Sequence, residues 1–342
     1  MRTKIMLTLY VLIFYLGATT VSATAPAWLT PGTYATYAVV VPKDARFGIN
    51  SVMVKLDMLN ECSFEALYPY LVKAEGRNVS RDENYVTALW PTGTSYLTFR
   101  VLSVDNDTAK ILVRLELHDV AIERPDLANA SVLVLSEVLT LDLRTGMYVR
   151  NGTPAGRPSF FINPSNPPDP GAVLLNVTVP EGGTWLMTVK NLSYSRYRGF
   201  EVLTHLRTFH PPFIYLESDV VQFNLHGPDY SFSGGTAFSA LYDPSTGLMI
   251  ASDMSSTPPE LVLMGVVGST MEDVNASRAL RKLLAENSNR RWLQGWNLYA
   301  TNVEFQDEHP FERPGSPLVY YFALSVLIAI AVGIRDFWRW VR

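Results

Sequence analysis

The chain has 342 residues with 28 basic and 32 acidic side chains, and 48% of its residues are hydrophobic. Setting aside the charged residues of the two termini leaves the central region at about −8, a balance that argues against nucleic acid as a partner. Cys62 is the only cysteine, so no intramolecular disulfide can form and stability must come from burial. This economy is unusual for an exported eukaryotic domain and points to a prokaryotic surface.

Met1-Arg2-Thr3-Lys4 followed by an apolar run from Ile5 to Leu16 has the layout of a secretory signal. Val21-Ser22-Ala23 fits the small-x-small rule, which predicts cleavage after Ala23 and a signal peptide over 1–23. Residues 24–156 read as a first β-rich unit and 157–304 as a second. Within the first, Ile111, Val113, Leu115 and Leu117 alternate with Leu112, Arg114, Glu116 and His118, as a half-buried strand requires. In the second, Val221, Phe223 and Leu225 do the same. Asp105-Asn106-Asp107, Arg144-Thr145-Gly146 and Ser245-Thr246-Gly247 are turn chemistry between such runs.

The two units look related. Gly93 to Val104 aligns without gaps on Gly183 to Tyr194 with five identical residues, and each unit ends in Asp-x-x-Thr-Gly, at Asp142 to Gly146 and Asp243 to Gly247. Against that plan the first unit carries an insertion over about 42–92. It contains Ser63 to Glu75, read as a short helix interrupted by Pro69, and the aromatic residues Tyr68, Tyr70, Tyr85 and Trp90, a candidate binding surface. The connector Asn163 to Pro170 is proline-rich and extended.

Ser269 with Glu272 and Thr270 with Asp273 predict the cap of a minor helix near 270–287, with Ala276, Leu280, Leu283 and Leu284 as its apolar stripe. A last strand is expected over Leu298 to Val303. An acidic, proline-bearing stalk over 305–316 leads to 317–334, uncharged across its length and long enough to span a bilayer as a helix. The tail 335–342, with Arg335, Arg339 and Arg342 beside Trp338 and Trp340, suits cytoplasmic headgroups.

The expected fold is therefore mainly β, a β-rich α+β chain. It has two related antiparallel β-sheet units, sandwich-like in composition, the minor helix and one C-terminal transmembrane helix. Asn-x-Ser/Thr sequons at Asn78, Asn106, Asn129, Asn151, Asn176, Asn191 and Asn275 mark candidate glycosylation sites.

No chemistry-bearing motif emerges beside these. His205 and His210 lack a zinc spacing, Asp105 and Asp107 lack the glycine and closing glutamate of a calcium loop, and Gly234-Gly235-Thr236-Ala237 lacks the serine of a nucleophile elbow. Neither a catalytic residue, a metal nor a cofactor is assigned.

Trp28-Leu29-Thr30-Pro31-Gly32-Thr33-Tyr34, the alternating strands and the Asp-x-x-Thr-Gly turns resemble the uncharacterised exported surface proteins of archaea over roughly residues 28–250. The strand-rich pattern faintly resembles the half-barrels of lipoprotein carriers, with no residue-level match. Together these features predict a single-pass cell-membrane protein with its ectodomain outside and its C-terminus cytoplasmic, acting as a surface binding or structural protein. Its partners would be the lipid bilayer through 317–334 and glycan, lipid or another envelope protein. The alternatives are a membrane-tethered hydrolase and an accessory subunit of an envelope complex.

Overall fold

The computed structural model describes residues 25–124, 126–180, 183–226 and 231–306, all within the compact unit Met1–His309. The signal peptide and the segment 317–334 lie outside the described residues. Among those described, no helix is long and apolar enough to cross a membrane.

The two expected sheet units do not exist as separate sheets, nor as the two layers of a sandwich. Twelve antiparallel strands close into one barrel. Its first half runs β1 (Tyr34–Val39), β4 (Ser95–Val104), β5 (Thr108–Ile122), β6 (Ala128–Asp142), β7 (Met147–Arg150) and β8 (Thr153–Gly156). Its second half runs β9 (Val173–Val179), β10 (Gly183–Ser193), β13 (Ile214–Ser218), β16 (Ser239–Tyr242), β17 (Met249–Ser252) and β20 (Asn297–Thr301). Each half is an up-and-down meander. The halves are stitched where Gly156 faces Leu175 and where β1 runs antiparallel to β20, Ala35 opposite Thr301. Closure removes the open edges that two separate sheets would each expose, which is the physical reason one barrel replaces two units.

The halves correspond closely. The Gly32 N–H donates to Val101 O and the Val101 N–H to Thr33 O; the Gly171 N–H donates to Val189 O and the Val189 N–H to Ala172 O. This pairing matches Val101 with Val189, two residues from the gap-free sequence alignment, so each side chain keeps its face of the sheet. Both Asp-x-x-Thr-Gly turns join the fourth strand of a half to its fifth.

The remaining elements leave the ring as excursions. Between β1 and β4 come β2 (Ser51–Lys55), α1 (Glu61–Glu75) and β3 (Val86–Pro91). Helix α1 is continuous through Pro69, because Asn60 caps it by accepting from the Ser63 N–H and Gly76 closes it in the left-handed region. It lies on the outer face of β6, where Asn60 Nδ2 and Ser63 Oγ both donate to Ser136 O. Cys62 is exposed in its first turn.

The second half carries three excursions. They are β11 (Glu201–Leu203) with β12 (Thr208–Phe209), the hairpin β14 (Val221–His226) with β15 (Ser231–Thr236), and a long one holding α2 (Pro259–Leu263), β18 (Val266–Thr270), α3 (Val274–Ala285) and β19 (Arg290–Trp292). Helix α3 is capped by Asp273 rather than by Ser269 or Thr270, which belong to β18. Its buried positions are Val274, Ala276 and Ser277, while Leu284 of the expected stripe is 50% exposed.

The lumen is filled and is not a channel. Inward-facing Tyr37, Phe99, Tyr148, Trp185 and Tyr242 are buried, and Phe99 stacks on Phe160 with ring centroids 4.7 Å apart. Two pieces of chain plug it. Residues 157–162 cross one end as a chord from β8 to β17, held where the Ile162 N–H donates to Gly247 O and the Met249 N–H to Phe160 O. Helix α2, buried at all five positions, enters from the long excursion.

Candidate functional site

One end of the barrel gathers both ends of the described chain, the connector 163–170 and both Asp-x-x-Thr-Gly turns. Trp28 ties the N-terminal segment down there, donating from Nε1 to Thr246 O at 2.8 Å and meeting Phe161 edge-on at 5.5 Å. Beneath the connector lies a cavity of about 280 Å³. Its wall is mainly apolar and comes from many strands: Leu141 from β6, Leu174 from β9, Leu216 from β13 and Tyr242 from β16, with Phe238 and Phe161. Strand alternation explains this lining, since these are inward positions of their strands.

Two polar features meet the cavity. Arg157, half-buried at the start of the chord, donates from Nε to Val173 O at 3.0 Å and makes no ion pair among the described residues. Burial pushes its guanidinium down from the ordinary arginine range. Ser159, two residues on, belongs to a buried hub. Its backbone N–H donates to Glu260 Oε1 at 2.7 Å and its hydroxyl to Oε2 at 2.6 Å. Tyr148 donates to Oε1 at 3.1 Å, and Tyr242 donates to Ser159 O at 2.9 Å.

Glu260 is 0% exposed, and its burial raises the carboxyl above its ordinary value against the opposing pull of the Ser159 and Tyr148 donors. Burial and the nearby Glu260 charge raise Tyr148 and Tyr242 well above the phenol range, so both remain donors. The hub joins β7, β16, the chord and α2 at one carboxyl. Barrel wall and chord both donate to this carboxyl on the plug helix, and Tyr242 fixes the chord in turn, which is the wiring of a structural lock.

The aromatic residues of the insertion occupy different settings. Tyr68 and Tyr70 are half-buried on α1, with the Tyr68 hydroxyl donating to Asn78 Oδ1 at 3.3 Å. Tyr85 is buried and donates to Glu75 Oε1 at 2.5 Å. Trp90 is half-buried on β3, 6.1 Å from the exposed ring of Phe47. His205 Nε2 lies 2.5 Å from Asp273 Oδ2, whose other oxygen caps α3. His210 lies 3.4 Å from Glu201. Among the described residues, no group of three or more His, Cys, Asp or Glu is arranged to hold a metal ion.

All seven sequon asparagines, Asn78, Asn106, Asn129, Asn151, Asn176, Asn191 and Asn275, are exposed. Outside sequons, Asn50, Asn60, Asn84, Asn163 and Asn297 are buried or half-buried, and Asn166, Asn224, Asn287, Asn289 and Asn302 are exposed.

Sequence reasoning passed over Arg157, Ser159 and Glu260. Arg157 and Ser159 sit in a stretch without periodicity. Glu260 had one available signal, being a lone acid at the head of the apolar run Leu261-Val262-Leu263-Met264. Comparison with protein-family models, with curated proteins and with solved structures finds no match to this chain.

Proposed function

We propose that the protein is an exported, membrane-anchored cell-surface binding protein whose glycosylated ectodomain is the β-barrel. The observation that carries this reading is the exposure of all seven sequon asparagines, when five of the ten asparagines outside sequons are buried or half-buried. The apolar stretches 5–16 and 317–334 with their charged flanks supply export and anchoring. The filled lumen with one apolar cavity favours a binding role over a purely structural one.

The exposed Cys62 gives a direct test. A membrane-impermeant maleimide applied to intact cells of the native host labels the protein, and its intact mass falls on deglycosylation. Labelling that appears only after lysis, together with an unmodified mass, overturns the reading.

A further inference from the structure

The cavity at the end of the barrel combines two properties that together define a ligand class. Its wall is built from Leu141, Leu174, Leu216 and Phe238, which offer a dry surface to an apolar chain. At the same cavity the Arg157 guanidinium is held by one backbone carbonyl, Val173 O, with no carboxylate partner among the described residues. Asp169 lies on the rim, but it is solvent-exposed and forms no ion pair with Arg157. A half-buried arginine left unpaired beside apolar side chains retains donors for an anion, and the bidentate fork of guanidinium suits two oxygens of a carboxylate or phosphate.

We propose that this cavity binds a single-chain amphiphile with an anionic head, its chain among Leu174, Leu216 and Phe238 and its head on Arg157. This names the ligand class for the binding role proposed above and rests on that reading. The cavity opens at this end of the barrel, so a ligand enters here rather than at the opposite end. There the lumen is closed by α2 and by the β14–β15 hairpin, whose Phe223 stacks on Trp185 at 4.6 Å. The connector 163–170, which lines the mouth, sets the width of entry.

The test uses the full chain in lipid nanodiscs and two photoactivatable probes, a ten-carbon fatty acid bearing a diazirine and the alcohol of the same chain. The expected result is saturable crosslinking of the fatty acid to peptides covering 141–146 and 157–174, competed by unlabelled decanoate. Arg157→Gln lowers saturable labelling by the acid at least tenfold and leaves the alcohol within twofold. Ala172→Phe, which fills the cavity from its edge, removes labelling by both, with circular dichroism confirming that each variant keeps its fold.

Absence of saturable labelling in the wild-type chain overturns the proposal. So does equal labelling by acid and alcohol with no dependence on Arg157. The purified chain answers this wherever it resides in the cell, so a negative result here and a negative result with the Cys62 label are separate outcomes.

Discussion

The two longest strands lie in the first half of the barrel, where β5 and β6 run for 15 residues each and pair along almost their whole length. In the second half β13 has 5 residues and β16 and β17 have 4 each, and three excursions interrupt the meander. The first half draws its order from local hairpin pairing. The second depends on parts that fold back over it, namely the chord, α2 and the hairpin β14–β15. One strand plan thus supports two different sources of stability, and a change of the same chemical kind has a different cost in each half.

The turns show the difference most directly. In the first half Asp142 is half-buried, and its Oδ1 accepts from the Arg144 and Thr145 N–H groups. In the second half Asp243 is buried, and its Oδ2 accepts from the Thr246 N–H, the Thr246 hydroxyl and the Ser245 hydroxyl. Gly146 and Gly247 close the two turns at φ of +65° and +71°. Only at Gly247 does the chord cross, so that a Cβ placed there would meet Ile162 O at 2.0 Å.

The largest effect is expected from Gly247→Ala, which adds a backbone clash with the chord to left-handed strain. A loss of about 4 kcal/mol or more is expected, read as the denaturant midpoint of the purified chain. A loss near 1 kcal/mol would show that the chord yields freely and that the second half does not depend on it.

Next in size is the pair of aspartates. Asp243→Ala strands three donors, two of them buried, and should cost about 3 kcal/mol, whereas Asp142→Ala, with water at hand, should cost roughly 1 kcal/mol. Equal losses in thermal melts would erase the distinction between the halves.

The smallest effect concerns Glu260, which has no counterpart in the first half. Its carboxyl is raised by burial. The unfolded chain therefore gives up this proton first as pH rises above the ordinary glutamate value of 4.5, and the folded state loses stability from there up to Glu260's own elevated value. Below that window the contribution is fully present. The melting temperature of the wild type should decline through the window, and Glu260→Gln should flatten that decline. An unchanged slope in the variant would mean that other groups carry it. Asp142 works in the opposite sense. Burial acts against ionisation there, but the Thr145 and Arg144 N–H groups outweigh it and hold the carboxyl low, so its contribution is lost as pH falls through that lowered range.

Much of the barrel wall was legible in the sequence because it is local. The alternation of Ile111 to His118 is β5, Asp105-Asn106-Asp107 is the turn before it, and the two Asp-x-x-Thr-Gly motifs are turns at equivalent places in the ring. Closure was not legible. It depends on β1 meeting β20 across most of the chain and on a single residue pair, Gly156 with Leu175, neither of which leaves a periodic trace. The cavity was hidden for a related reason. Its lining residues are spread over four strands, and its arginine lies in a stretch, Arg157 to Ile162, whose extended course is set by what it crosses rather than by its own pattern. The helices show where local signals mislead: Pro69 sits inside α1 because both ends of that helix are well capped, and Leu284 is exposed although spacing places it on the apolar stripe.

The pairing of the first barrel strand with the last also has a consequence in time. Until Thr301 has left the ribosome, Ala35 to Ala38 have no partner on one side, and the ring stays an open ribbon with a free edge. Such a chain needs its edge shielded for the whole of its synthesis. Linking Ala25 to Gln306 and cutting instead within the connector 163–170 would give a permuted barrel that begins at β9 and ends at β8. In that chain the seam moves to the weak Gly156–Leu175 contact, and the order in which the halves are sealed is reversed.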